Sequence, residues 1–237
     1  MVKLYKNFNI NNHHKNSIIL IGNFDGLHLG HQKLFKLALS YKKKYNSKIG
    51  VINFDPMPKM YFNSSLRNFK ISSLSQKLEL IKALKVDFII TKKFDRNFSK
   101  IKSINFIKEI LYKKLNCKFV FVSNNFRFGN KREGDVKLLI QNEKNYNYKV
   151  IKPKPLLKSK KIVSSTIIRN LLEKGNLNRA NKFLGRNWTI DGIVQKGRQV
   201  GKKIGFPTCN IDIKDYVLAQ PGVYAVRVLR KKNQKKL

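Results

Sequence analysis

Ile18-Ile19-Leu20-Ile21-Gly22-Asn23-Phe24-Asp25-Gly26-Leu27-His28-Leu29-Gly30-His31 is the stretch from which the fold is read. Its apolar opening, with no polar residue alternating, reads as a short strand buried on both faces. Gly22, Gly26 and Gly30 then interrupt the pattern, and small residues there let a backbone approach a ligand closely. Beyond His31, Leu34, Leu37, Ala38 and Tyr41 recur at helical spacing with lysines between them, so a helix is expected to about Tyr45. The unit is therefore strand, glycine-rich turn and helix. A helix start carries unpaired N–H groups and partial positive charge, which suit phosphate. His28 and His31 are three apart, and share a face if both lie in the first turn. Two imidazoles at such a place point to charge stabilisation on a phosphoryl group. Read without that context, they are polar residues of an ordinary turn.

Working outward, the second strand spans Lys48 to Phe54 and ends at Asp55-Pro56-Met57-Pro58, where prolines stop the ladder. Leu74 to Lys85 is amphipathic, with Leu74, Leu78, Ile81 and Leu84 on one face and Ser75 as the expected N-cap. Val86 to Thr91 is a third strand, Ile104 to Leu115 a helix, Lys118 to Ser123 a fourth strand and Tyr148 to Ile151 a fifth. This alternation predicts an α/β fold, a parallel sheet with helices on its faces. Ligands of such sheets bind at the carboxyl ends of the strands. His28, Pro56 and the segment Asn124-Asn125-Phe126-Arg127-Phe128-Gly129 all follow strand ends, so they can meet in one cleft. In an extended segment, Phe126 and Phe128 face away from Arg127. Rings there can stack on a flat heterocycle and the cation can clamp phosphate, or the rings can belong to the core.

Val163-Ser164-Ser165-Thr166-Ile167-Ile168-Arg169 opens a further helix, which closes near Gly175, and a second helix runs from Leu177 to Leu184. Past Arg186 the texture changes. Trp188 to Val194 reads as a strand, and Gly197, Gly201 and Gly205 punctuate a basic loop ending Gly205-Phe206-Pro207-Thr208-Cys209-Asn210.

At 237 residues and 42% hydrophobic content the chain buries a substantial core, which excludes a disordered protein. The net charge of +38 is that of a polyanion binder. Yet the lysines are spread along the whole chain and mixed with Asn and Ile, as in Ile10-Asn11-Asn12, a bias that A+T-rich codons produce. The charge is thus read as drawing in phosphate-bearing small molecules, and a nucleic-acid partner is not expected. The adjacent His13 and His14 point to different sides and read as part of a polar lead-in. Cys117 and Cys209 lack metal-ligand or disulfide spacing, and no run approaches 18 apolar residues, so no membrane association is expected and a reducing cytoplasm is. Oligomeric state is not legible.

These motifs, in this order, resemble the bacterial bifunctional riboflavin kinase/FMN adenylyltransferase (FAD synthetase) family over about residues 17–228. The first stretch resembles its His-x-Gly-His signature. Met57 stands where the family's Phe-Asp-Pro-His-Pro has His, and Ser123-Asn124 where it has Gly-Glu. The resemblance implies a Rossmann-like nucleotidylyltransferase domain over 1–185, then an incomplete small riboflavin-kinase-like β-barrel over 186–237. It implies transfer of AMP from ATP to FMN, giving FAD and pyrophosphate, with Mg²⁺. Carried over by position, His28, His31, Asn125 and Arg169 are catalytic. Gly22, Phe24, Asp25, Gly26, Gly30, Ser164, Ser165 and Thr166 bind ATP, Asp25 by ordering the turn, and Arg169 reaches the β and γ phosphates. Pro56, Pro58, Phe126, Arg127 and Phe128 bind flavin. Gly205, Thr208 and Asn210 match the kinase element, with Thr208 and Asn210 supplying oxygens to Mg²⁺ and ATP. Because the chain stops at Leu237, within the expected barrel, kinase activity is expected to be absent. A working kinase, another nucleotidylyltransferase of the same signature, and a basic nucleic-acid-binding protein are the alternatives.

Overall fold

The computed structural model describes residues 1–158, 161–197, 205, 208–213 and 215–229. β1 (Lys3–Tyr5), β2 (Ile18–Ile21), β3 (Ile49–Asp55), β4 (Phe88–Lys93), β5 (Phe119–Phe121) and β8 (Lys149–Ile151) form one sheet in the order β1-β4-β3-β2-β5-β8. Every pairing in it is parallel. The alternation of elements is what demands this, since parallel neighbours need a crossover. β1 is an addition to the five strands read from sequence. Lys3–Tyr5 is too short and polar to announce itself, and it is held as an edge strand by β4.

The continuous apolar run of β2 serves two cores. Ile19 and Ile21 pack on one face with Ile107, Ile110 and Leu111. Ile18 and Leu20 pack on the other with Phe35 and Ala38 of α1 (Leu29–Tyr45) and Ile81 of α3 (Leu74–Lys82). Between β3 and β4, a β-carbon on Gly50 would lie 2.2 Å from the Phe88 ring, so only glycine lets these strands pair.

Three boundaries differ from expectation. The helix after β4 opens at Ser103, and its Phe106–Lys114 portion is π-wound. α3 is capped by Ser73 rather than Ser75, because Ser73 and Gln76 form a reciprocal capping box. The Trp188–Val194 strand is absent, and only Val194–Gln195 pairs, with Asn210–Ile211. Trp188 instead joins a third cluster, built by α7 (Ser165–Glu173) and α8 (Leu177–Leu184) around Ile168, Leu172 and Phe183. Its indole N–H donates to the Ile71 carbonyl at 2.9 Å. Val217, also past Arg186, lies in the same cluster, and its N–H donates to the Lys70 carbonyl at 2.8 Å.

Candidate active site

The strand order reverses beside β2: the chain steps outward to β3 and β4, then returns to β5 on the other side. A crevice therefore opens at the carboxyl ends of β2 and β5, the usual ligand position in such a sheet. The turn after β2 fills its floor. Phe24 (φ 47°) and Gly26 (φ 73°) both take left-handed backbone. A side chain on Gly26 would press to 2.8 Å from Ile71, so the turn is closely backed.

Asp25 ties that turn down. Its buried carboxylate accepts from the Ile71 and Ser72 N–H groups at 3.1 and 3.2 Å, and from Arg169 Nη2 at 2.6 Å. Arg169 is committed besides: Nε donates to the Phe69 carbonyl at 2.8 Å, and the guanidinium lies 3.6 Å over the Phe69 ring. Ser165 donates to the Asp25 carbonyl oxygen at 3.0 Å. The helix position of Arg169, read as facing phosphate, is thus turned to a partner 144 residues away. Asp25 orders the turn as its sequence context suggests.

His28 is the N-cap of α1 rather than a member of its first turn. Its Nδ1 accepts from the His31 N–H at 3.3 Å, which leaves the Nε2 proton of the neutral ring as a donor. The two rings stack at 3.6 Å. A side chain on Gly30 would meet the His28 ring and the Val163 carbonyl, both at 3.1 Å, so glycine permits this stack. Burial, aided by the charges of Arg169 and Arg186, lowers the His28 pKa to about 4, and burial holds His31 well below its ordinary value too. Both rings are neutral at pH 7. His31 Nδ1 and Asn23 Oδ1 are buried without a hydrogen-bond partner among the described residues.

A stability prediction follows from these rings. A histidine neutral in the fold but protonated when unfolded makes the unfolded state bind more protons between pH 6.5 and about 4. His28 stability is fully present above pH 6.5 and is lost as pH falls toward 4, by up to ~3 kcal/mol. Urea midpoints measured from pH 7 to 4 should fall through that window, and His28→Gln should flatten the fall. An unchanged slope in the variant would contradict neutral burial.

An aromatic pocket is built on the core of Ile19 and Ile21. It is lined by Pro58, Phe126, Arg127 and Phe128, which the sequence singles out, and by Phe54, Phe62, Phe94, Phe98, Phe106 and Arg132, which it does not. Phe126 and Phe128 stack at 5.5 Å, on the same side as expected, while Arg127 turns to Asp135 at 3.6 Å. Pro56, joined to Asp55 by a cis peptide, is half-buried and does not line the pocket. Asn125 is exposed on the loop after β5, where its Oδ1 accepts from Ser123 at 2.9 Å. Ser164 caps α7, and Thr166 is exposed in its first turn. Gly205, Thr208 and Asn210 are exposed as well, with Asn210 on a two-stranded ribbon. Phe206, Pro207 and residues 198–204 of that motif lie outside the described residues.

Sequence reasoning passed over Lys77, Arg186 and the segment around Ile71. The signal for Lys77 was present: a lysine on the inward face of α3, one residue from the apolar Leu78.

Comparison with known proteins identifies the family. The FAD synthetase family model matches residues 10–167, and the riboflavin kinase model matches 184–236. The bifunctional riboflavin kinase/FMN adenylyltransferase of Buchnera aphidicola subsp. Schizaphis graminum is 40% identical over 93% of this chain and 71% of its own length. That of Escherichia coli K12 is 35% identical over 90% of this chain and 68% of its own. A crystal structure described as a macrolide-efflux protein from Streptococcus pneumoniae superposes with a TM-score of 0.79 at 27% identity, covering 94% of this chain and 73% of that one. No helix among the described residues is long and apolar enough to cross a membrane. The chain belongs to the FAD synthetase family, with an FAD synthetase domain followed by part of a riboflavin kinase domain.

Proposed function

We propose that this chain transfers AMP from ATP to FMN, giving FAD and pyrophosphate. The observation that carries the reading is a phosphate-type helix start at the carboxyl end of β2, bearing two stacked neutral histidines, in a chain that also holds an aromatic pocket suited to a flat ring system. The relatives' name, FMN adenylyltransferase, supports FMN as the acceptor of an adenylyl group.

A phosphate oxygen of FMN, ionised at neutral pH, attacks the α-phosphorus of ATP. The new P–O bond forms as the bond to the β-phosphate oxygen breaks, and pyrophosphate leaves with that electron pair. No general base is needed. The site has to align the two nucleotides and stabilise charge spreading over the α-phosphate. His28 donates through Nε2–H, His31 brings a ring nitrogen without a partner among the described residues, and the α1 N-terminus adds its dipole. Gly22, Phe24, Gly26 and Gly30 shape the floor for ATP. Ser164, Ser165 and Thr166 bring the start of α7, and Asn125 guards the far rim. Asp25 and Arg169 hold the floor in place.

Magnesium supplies screening of phosphate charge when bound. Among the described residues no group of three or more His, Cys, Asp or Glu could hold a metal ion, and Asp25, the buried carboxylate, is fully engaged. The donors present suit phosphate oxygens, so the ion is assigned to ATP and to no protein ligand of this cleft.

The adenylyltransferase unit is assigned to 1–185 and the kinase-like unit to 186–237, with Trp188 and Tyr216–Val217 packed into the former. Kinase chemistry is assigned to no site here: Thr208 and Asn210 are exposed, as are the apolar Val194, Ile211, Val223, Val226 and Val228. Two free cysteines suit a reducing cytoplasm.

The flavin pocket has about 90 Å³ of free space, below the ~300–1,000 Å³ of a typical ligand pocket, so a flavin enters by one edge. Phe126, only partly buried, is the ring best placed to meet it. Phe126→Ala should raise KM for FMN roughly tenfold, a stacking-scale loss, and leave KM for ATP unchanged. Equal rises in both constants would remove the pocket from the flavin.

A further inference from the structure

Arg169 is spent on Asp25, Phe69 and the floor of the site. Two other cations near the start of α1 make no direct ion pair among the described residues. Lys77 of α3 is 4% exposed and makes no hydrogen bond or ion pair among the described residues. Its charge acts on His31 and lies within the fields of Asp25 and Asp55, at the carboxyl ends of β2 and β3. Arg186 follows the left-handed Gly185 that ends α8, and its Nη1 is buried without a partner. Its charge acts on His28. Gln32 of α1 fixes that corner, donating to the carbonyls of Leu27 and Leu184 at 3.0 Å each. Burying a cation, as at Lys77, or a cationic N–H group, as at Arg186 Nη1, without a bonded partner costs stability, and a fold that does both near one helix start is organised for an anion that arrives later. The charge that arrives must be large and extended, because α3, which carries Lys77, packs on the Asp25–Leu27 turn, while Gly185, next to Arg186, packs on Leu29 at the start of α1.

We propose that Lys77 and Arg186 grip the polyphosphate of ATP at the start of α1 and neutralise the pyrophosphate as it leaves. This rests on the adenylyl-transfer reading and gives it its cations. As the α–β phosphoanhydride bond breaks, the electron pair moves to the pyrophosphate oxygen, where a positive charge helps most. Lysine and arginine divide the work. The compact ammonium meets one oxygen, and the planar guanidinium can take two.

The test uses the full chain with Lys77→Met and Arg186→Met. Binding of inorganic pyrophosphate and of ATP with magnesium is titrated, and the melting temperature of the unliganded protein is measured alongside. Each variant should lose at least ~10-fold in affinity for pyrophosphate, the scale of a charged hydrogen bond. The unliganded Lys77→Met protein should melt no lower than wild type, since an apolar chain replaces an unpaired buried charge. Lys77→Arg should recover part of the affinity. Pyrophosphate affinity within ~2-fold of wild type in both variants would overturn the proposal. So would a Lys77→Met protein whose melting temperature falls, which marks a structural lysine, or a wild type that binds neither pyrophosphate nor ATP. A wild type that binds both but makes no FAD would sink the FMN reading and leave this one standing.

Discussion

Replacing Asp25 by asparagine is expected to destabilise the fold by about 3–5 kcal/mol and to abolish most adenylyl transfer. The change keeps the shape of the side chain and removes its charge. Arg169 would then be a buried guanidinium without its counter-ion, the situation in which breaking an internal pair costs most. The same carboxylate holds the Ile71 and Ser72 N–H groups, so the turn carrying Gly26 would loosen together with the segment behind it. Urea unfolding of Asp25→Asn against wild type gives the cost. The double variant Asp25→Asn/Arg169→Met should recover part of the stability, because the stranded charge is gone, but not the activity. A single variant as stable as wild type would show that the pair does not hold the floor.

His31→Ala should lower turnover by at least ~10²-fold, the scale of losing one positioned donor to a developing oxyanion. Its effect on stability should be small by comparison. The His31 ring makes no side-chain hydrogen bond among the described residues, and its contacts are a stack on His28 and an edge against Phe24. Loss of turnover in a folded protein with near-normal FMN binding is the expected pattern. Turnover within ~3-fold of wild type would take His31 out of the reaction.

The sequence was most legible where one physical demand dominates. β2 and α1 are read correctly because a strand buried on both faces must be apolar throughout and an amphipathic helix must show its period. The parallel sheet then follows from the alternation of strands and helices. What escaped was set by partners distant in the chain. Nothing near Arg169 tells that its guanidinium faces Asp25, or that Trp188 reaches Ile71 instead of pairing as a strand. The aromatic pocket draws Phe54, Phe94, Phe98 and Phe106 from separate elements, each an ordinary core residue when read alone. The cap of α3 was legible and passed over: Ser73-x-x-Gln76 is a capping box, whereas Ser75 has no such partner. The neutrality of the histidines is a consequence of burial, which spacing does not report.

The most direct measurement incubates the purified chain with ATP and magnesium, with FMN in one reaction and riboflavin in another, and separates the flavins by chromatography. The account predicts FAD from FMN and no product from riboflavin. A chain that makes no FAD from FMN would contradict the account's central claim.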